Sequence, residues 1–314
     1  MPGSQVGTDF WINEYMTPWD IYQHGVTQVL AYRKTAFQEM FIVESGAYGK
    51  ALVLDGKWQS STVDEFLYHE PLVHPAMILH GAARKVLVLG GGEGATVREV
   101  LRWNSVEQAA MVDIDGEVVD ACRQYLPEMH QQVFENPRCR LVIGDALDFL
   151  DTTTDQWDVI ISDLSDPIES GPSFKLFTQE YFEKARRVLS PDGFFVLQAG
   201  PVCPTELGLH ARLAKTLSTV FQDVLSYNSY ISTYGRPWGF LLAANRPINR
   251  QPVPADVDRQ LREATTGGFR LIDGTGLLGL LQTPLYIRQA IAAEEQIFSL
   301  AEPPKFFGKG VVQV

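Results

Sequence analysis

The chain has 314 residues, 45% hydrophobic and 20% charged, with a formal net charge of −12 and a pI of about 5.0. Such a chain has ample apolar surface for one large core or two smaller ones. Its acidity and lack of clustered Lys and Arg exclude nucleic acid as an expected partner. Three cysteines without paired spacing, Cys122, Cys139 and Cys203, argue against a disulfide framework and for a reducing compartment. No run approaches the roughly 18–20 apolar residues of a membrane helix, and the N-terminus has acids and no apolar h-region of a signal peptide. A cytoplasmic protein without a membrane partner is expected.

In chain order, residues 26–65 alternate with period two through VTQVLAYRKTAF, QEMFIVES and KALVLDGKWQSST, which predicts a small antiparallel β domain. GAYGK and LDGK mark its turns, the second a hairpin candidate. Residues 64–80 read as helix in two pieces, because Pro71 and Pro75 interrupt the pattern. From Lys85 the pattern becomes strand, helix, strand, helix: KVLVLG, ATVREVLRW, AAMVDI, GEVVDACRQYL, RLVIGD, ALDFLDTT, DVIISDL, TQEYFEKARRVL, FFVLQAG. These units predict a parallel, doubly wound sheet, with VLSYNSYIS and WGFLLAAN as antiparallel closing strands. RQPVPADVDRQLREA and LLQTPLYIRQAIAAEEQIF predict two further helices. The expected organisation is a β domain over 1–75, a Rossmann-like, methyltransferase-type α/β domain over 76–250, and a helical extension over 251–314.

Acids gather at the carboxyl ends of the predicted parallel strands, where open α/β sheets bind ligands: Glu93 in the turn after the first, Asp113 after the second, Asp145 after the third, Asp163 and Asp166 after the fourth. A cleft so lined suits cationic ligands. Gly90, Gly92 and Gly94 open a helix after a strand, allowing a tight turn and close ligand approach, though a plain packing turn has the same glycines. Glu93 between the last two would repel a pyrophosphate, which disfavours NAD and FAD and favours a methionine-derived sulfonium. Asp113 stands where an acid accepts both ribose hydroxyls; the competing reading, a helix cap, fits Asp115 better. Asp145 could accept an adenine amino group while the N–H of Ala146 donates to the ring, or it could simply cap ALDFL. Asp163 and Asp166 in DLSDP could hold an amine and take its proton. His69-Glu70 with His74 is one residue too long for H-E-x-x-H, and no metal site is expected.

GGGEGATVREVL, MVDIDGEVV, VIGDA, DLSDP and, upstream, LVLDGKWQSSTVDEFLYHE resemble the spermidine synthase family of polyamine aminopropyltransferases, over roughly residues 10–245. The resemblance implies transfer of the aminopropyl group of decarboxylated S-adenosylmethionine to an amine such as putrescine, releasing 5′-methylthioadenosine, with no prosthetic group. It implies that Asp113 binds ribose, Asp145 adenine and Glu93 the donor's ammonium. Gln38 and Gln59 would line the donor and acceptor pockets. Asp163 would be the base and Tyr68 would orient the attacking nitrogen, with His69, Asp166, Gln198 and Tyr234 around the acceptor. Tyr68 and Tyr234 could otherwise be packing residues. Glu93 where many members have Asp, Ala146 where Gly is common, the loop over 168–177, expected to close over both substrates, and YHEPLVHPAM are similar to the branch of thermospermine synthases and of enzymes accepting agmatine or triamines. A homodimer or homotetramer built on the β domain is expected. A methyltransferase of the same topology and a non-catalytic polyamine binder are the rival readings.

Overall fold

Two sheets organise the computed structural model, which describes residues 7–8, 10–167, 173–304 and 311–313. The first contains β1 (Phe10–Thr17), β2 (Asp20–Lys34), β3 (Glu39–Ser45), β4 (Gly49–Leu54) and β5 (Lys57–Ser61), each antiparallel to its neighbour. Asp55 and Gly56 both have positive φ, 49° and 74°, the backbone that a two-residue hairpin between twisted strands requires. The predicted LDGK hairpin therefore forms, with Leu54 opposite Lys57. The sheet begins earlier than expected: β1 and the first part of β2 precede residue 26.

The second sheet follows α1 (Phe66–His80). Its elements are β6 (Lys85–Gly90), α2 (Ala95–Leu101), β7 (Gln108–Asp113), α3 (Gly116–Tyr125), α4 (Pro127–His130), β8 (Cys139–Ile143) and α5 (Ala146–Thr152). Then come β9 (Trp157–Asp163), α6 (Gln179–Arg187), β10 (Leu189–Pro201), α7 (Leu207–Ser218), β11 (Asp223–Ile231) and β12 (Arg236–Ala244). The spatial order is β11-β12-β10-β9-β6-β7-β8. β8, β7, β6, β9 and β10 run parallel, and β12 is antiparallel to both β10 and β11. This is the Rossmann-like arrangement with an antiparallel edge that the sequence predicts. Its central strands are continuously apolar because helices cover both faces. Val86 and Val88 pack with Leu72 of α1 and Val97 of α2, while Leu87 and Leu89 pack with Leu150 of α5 and Phe182 of α6.

Three expectations are corrected. α1 is one helix, not two pieces, and Tyr68 through Ile78 are all buried. Pro75 has no N–H for the Pro71 carbonyl; the Tyr227 hydroxyl donates to that carbonyl instead, at 2.9 Å, so Pro75 leaves that acceptor paired. α1 packs on α2, β10 and β11, which puts the change of sheet between Ser61 and Phe66, ahead of the expected boundary at 75. Finally, the C-terminal region is more than a helical extension. After α8 (Pro254–Ala264), α9 (Gly274–Leu280) and α10 (Leu285–Ala293), a short β13 (Val311–Gln313) adds to the free side of β1.

The C-terminal segment is also tied to the centre. The buried Glu70 carboxylate of α1 accepts the backbone N–H groups of Arg270, Leu271 and Ile272 at 2.7, 2.8 and 2.9 Å. Three charge-assisted bonds satisfy an acid that would otherwise be costly to bury.

Candidate active site

The glycine turn after β6 brings the acids together. Gly90 has φ +86°, and a Cβ there would lie 2.1 Å from the Asp163 carbonyl oxygen, so only glycine lets β6 and β9 end side by side. Gly92 keeps space beside Asp113, whose Oδ2 would be 3.0 Å from an added Cβ. The strand ends and the β domain enclose a cavity of about 260 Å3. The predicted donor residues Gly90, Gly92, Glu93, Asp113, Asp145 and Ala146 all line it, as do Gln38, Gln59, Tyr68, Asp163 and Tyr234. A smaller space of about 30 Å3 continues from Gln59, Tyr68 and Tyr234 to Asp166 and Gln198.

Asp163, at the end of β9, is gripped on both oxygens. The Tyr68 hydroxyl donates to Oδ1 at 2.7 Å and the Thr96 hydroxyl to Oδ2 at 2.5 Å. Each oxygen keeps a lone pair for a ligand. Burial first, and then the neighbouring Glu93 charge, push the Asp163 pKa above its ordinary value, against the pull of His69 and the two hydroxyls. Tyr68 itself is pushed well above the usual tyrosine range by burial and by Asp163, so it remains a donor.

Glu93 is set differently. Burial works to raise its pKa, but His69 outweighs burial and holds the carboxyl below its ordinary value. The His69 ring lies between two acids, Nδ1 at 2.8 Å from Glu65 and Nε2 at 3.2 Å from Glu93. Burial opposes charge on the ring, yet the bonds and charges of Glu65 and Glu93 prevail and lift its pKa to about 10. Glu65 in turn pairs with Arg98 at 2.7 Å, and Arg98 with Glu99 at 2.8 Å. The expectation that His69 lines the acceptor pocket is thus corrected. The ring is fully buried, both nitrogens are taken by carboxylates, and it reaches the cavity only through Glu93.

On the β7 side of the cavity, burial lifts Asp113 to about 7, helped by the charges of Asp115, Glu93 and Asp163 and opposed by a bond from the Asp115 N–H. Asp115, not Asp113, caps α3, accepting from Glu117 and Val118, and it also holds Gln38 Nε2 at 3.1 Å. Asp145 is exposed at the rim and does cap α5, accepting the Leu147 N–H at 2.6 Å. The capping reading therefore holds for Asp145, beside its place in the cavity lining.

At the other end, Tyr234 donates to the Gln59 carbonyl. Gln198 is committed on both sides, donating to the Leu164 carbonyl at 2.7 Å and accepting from Trp238 Nε1 at 3.0 Å, so it braces the segment carrying Asp163 and Asp166. Of the loop expected to close over the site, residues 168–172 lie outside the described residues, while Phe174–Phe177 form a short helical turn. Sequence reasoning missed Thr96, Glu65, Arg98, Glu14, Lys57 and Arg236. Only Thr96 carried a usable signal, since it lies in the first turn of the helix that the glycines open. Among the described residues no group of three or more His, Cys, Asp and Glu could hold a metal ion, and no helix is long and apolar enough to cross a membrane.

Residues 65–251 match the family model described as the spermine/spermidine synthase domain, and residues 10–61 the spermidine synthase tetramerisation domain. A polyamine aminopropyltransferase of Synechococcus sp. (strain JA-2-3B'a(2-13)) is 59% identical over 303 residues, covering 94% of this chain and 97% of its own. One from Aeropyrum pernix is 42% identical over 297 residues, covering 92% and 93%. Among solved structures, a spermidine synthase in complex with the transition-state analogue AdoDATO superposes with a TM-score of 0.83 at 28% identity, covering 90% of this chain and 95% of that one. With two domains matched and relatives aligned over nearly their whole length, this chain belongs to the spermidine synthase family and is a transferase of the polyamine aminopropyltransferase type.

Proposed function

We propose that the enzyme transfers the aminopropyl group of decarboxylated S-adenosylmethionine to putrescine, forming spermidine and 5′-methylthioadenosine. The observation that carries this reading is the pair of unlike carboxylates at the centre of the cleft. Glu93 is held ionised by His69, and Asp163 is held in place by Tyr68 and Thr96 with its pKa raised. The relative solved with AdoDATO supports a donor of this class.

Asp113 would accept the ribose hydroxyls, and Asp145 with the Ala146 N–H would meet the adenine edge. The sulfonium then lies among the acids, with its aminopropyl ammonium against Glu93. Ordinary S-adenosylmethionine carries a carboxylate at that end, and two like charges in a partly buried site repel strongly. An acceptor amine is protonated in water, with a pKa near that of lysine, about 10.4. Beside Tyr68, it gives its proton to Asp163. Its nitrogen pair then attacks the methylene next to sulfur. As the N–C bond forms, the C–S bond breaks, and its electrons leave on sulfur as a neutral thioether. Placing two cations in line within an acid-lined cleft supplies much of the acceleration.

We assign assembly to the β domain. Its match to a tetramerisation domain, together with Trp19 at 92% exposure and Ile21 at 51%, supports a homodimer or homotetramer, which light scattering distinguishes. Three free thiols favour a reducing, cytoplasmic setting. The test of the reaction is incubation with decarboxylated donor and putrescine, with mass spectrometry of the products. Methylthioadenosine and spermidine in equal amounts are expected. Turnover only with ordinary S-adenosylmethionine, giving a methylated product, would overturn the reading in favour of a methyltransferase.

A further inference from the structure

The first sheet rests on α3 through apolar side chains, with Met40, Ile42 and Leu52 in one cluster with Val118, Cys122 and Leu126. Apolar burial is non-directional, so it does not fix how a polar side chain at the edge of the contact is turned. One buried acid at that edge does. Asp115, 1% exposed, gives one carboxylate oxygen to each side of the junction. Oδ1 accepts the backbone N–H groups of Glu117 and Val118 in the first turn of α3, at 3.2 and 3.3 Å. Oδ2 reaches the connection between β2 and β3, where the Thr35 hydroxyl donates to it at 2.6 Å and Gln38 Nε2 at 3.1 Å. That connection is itself gathered on Thr35, whose hydroxyl oxygen accepts the N–H groups of Phe37 and Gln38, both at 3.1 Å. The Asp115 N–H, in turn, donates to Asp113 Oδ1 at 2.9 Å. Gln38 and Asp113 both line the main cavity, so a single residue holds one cavity side chain from each domain.

Resting on the aminopropyltransferase reading, we propose that Asp115 is a positioning residue for the donor, fixing which end of the Gln38 amide is left to the ligand beside Asp113. A carboxylate only accepts, so the Gln38 NH2 has to face Asp115. Its Oε1 takes no hydrogen bond among the described residues and is the end free for a ligand in the cavity that Gln38 lines. The ribose hydroxyls, the sulfonium and the ammonium of decarboxylated S-adenosylmethionine are hydrogen-bond donors or cations, and each calls for an acceptor. An amide turned over would set its NH2 against them. Asp115 does not itself line the cavity, and both its oxygens are committed, so its side chain acts on the donor through Gln38. Asparagine caps a helix as well as aspartate does, but with its oxygen kept on α3 it has only an NH2 to turn toward Thr35 and Gln38. Gln38 then has to turn over to accept from it.

The experiment is a double-mutant cycle on the whole enzyme, with the amine saturating and decarboxylated donor varied, in the wild type, Asp115→Asn, Gln38→Ala and the double variant. Asp115→Asn should raise the donor KM about tenfold and leave kcat within about threefold of wild type, and Gln38→Ala should raise the KM by as much. The double variant should match Gln38→Ala within about twofold, because no amide remains to be positioned. A residue needed only for the fold, or for the summed charge of the cleft, would instead multiply the two effects. Thr35→Val removes the second donor at Oδ2 without touching the helix cap or the charge. It should raise the donor KM about threefold, an effect again lost when Gln38 is alanine, and it takes the place of Asp115→Asn in the cycle should that variant fold poorly. Thr35→Ser, which keeps the hydroxyl, should stay within about twofold of wild type. The inference is overturned if the donor KM of Asp115→Asn or of Gln38→Ala stays within about twofold of wild type, or if the double variant shows the product of the single effects. Absence of methylthioadenosine from the wild type with every amine would instead overturn the aminopropyltransferase reading itself.

Discussion

Replacing His69 with glutamine removes the cation between Glu65 and Glu93 while leaving an amide of similar reach, and the structure fixes how the consequence depends on pH. Folding lifts the His69 pKa from 6.5 to about 10. A cationic group with a raised folded-state pKa contributes fully below its unfolded value, and that contribution is lost as pH climbs toward the folded one. At about 1.36 kcal/mol per pH unit, the interval between 6.5 and about 10 sets a ceiling of about 5 kcal/mol on the charge-linked stability. Urea unfolding of wild type and His69→Gln at several pH values isolates the residue, because the other titrating groups are shared. The stability difference should be largest near pH 6.5 and narrow by up to about 3 kcal/mol by about pH 9. At neutral pH the variant should also use its donor about 10- to 100-fold less well in kcat/KM, the equivalent of one charge-assisted hydrogen bond to Glu93. A difference that stays constant with pH would refute the reasoning, since the ring would then be neutral and one of the two acids would carry the proton.

Asp163→Asn keeps the shape and an oxygen for one of the two hydroxyl donors, but its amide nitrogen accepts from neither and the side chain cannot take up a proton. Turnover should fall by about 100- to 10,000-fold, with donor affinity by calorimetry changed only a few-fold; retained activity would remove Asp163 as the base. Asp113 in the free enzyme ionises near 7, so donor affinity should strengthen roughly tenfold from about pH 6 to about pH 8 as the carboxylate forms. Asp113→Asn should bind weakly with no such rise, and an equally steep rise in that variant would assign the titration elsewhere. Glu70→Ala strips the partners from three backbone N–H groups at 270–272, and should cost about 3–5 kcal/mol in thermal or urea unfolding. A loss below about 1 kcal/mol would mean the C-terminal segment is not held through α1.

The acid-lined cleft was legible in the sequence because it follows from strand periodicity. Once KVLVLG, AAMVDI, RLVIGD and DVIISDL are read as parallel strands, the residue after each is placed at one edge of the sheet, whatever the details of packing. What escaped were contacts between residues far apart in sequence. His69 reads as a pocket residue by its adjacency to Tyr68, yet on a helix neighbouring residues point about 100° apart. Tyr68 faces the cleft, and His69 faces the α2 side, where Arg98 and Glu65 wait. The two prolines of α1 read as breaks because local rules count only the missing N–H; Tyr227, 156 residues away, replaces it at the Pro71 carbonyl. β13 is three residues long and has no meaning until β1 offers it an edge.

Both sheets border the cleft, but they hold their residues differently. Glu93, Asp113, Asp145 and Asp163 all sit at the ends of parallel strands of one sheet, and their geometry is locked by close approaches such as that of Gly90 to the Asp163 backbone. A substitution there disturbs the chemistry. Lys57 and Glu14 belong to the β domain instead, and Gln59, in the same hairpin, meets Tyr234 from β12's approach turn. Leu52, Leu54 and Gln59 of the β4–β5 hairpin line the main cavity together with Gln38, so the β domain forms one wall of the cleft over the strand ends. A substitution in the hairpin therefore reshapes that wall while the backbone that carries Glu93, Asp113 and Asp163 stays where the second sheet puts it.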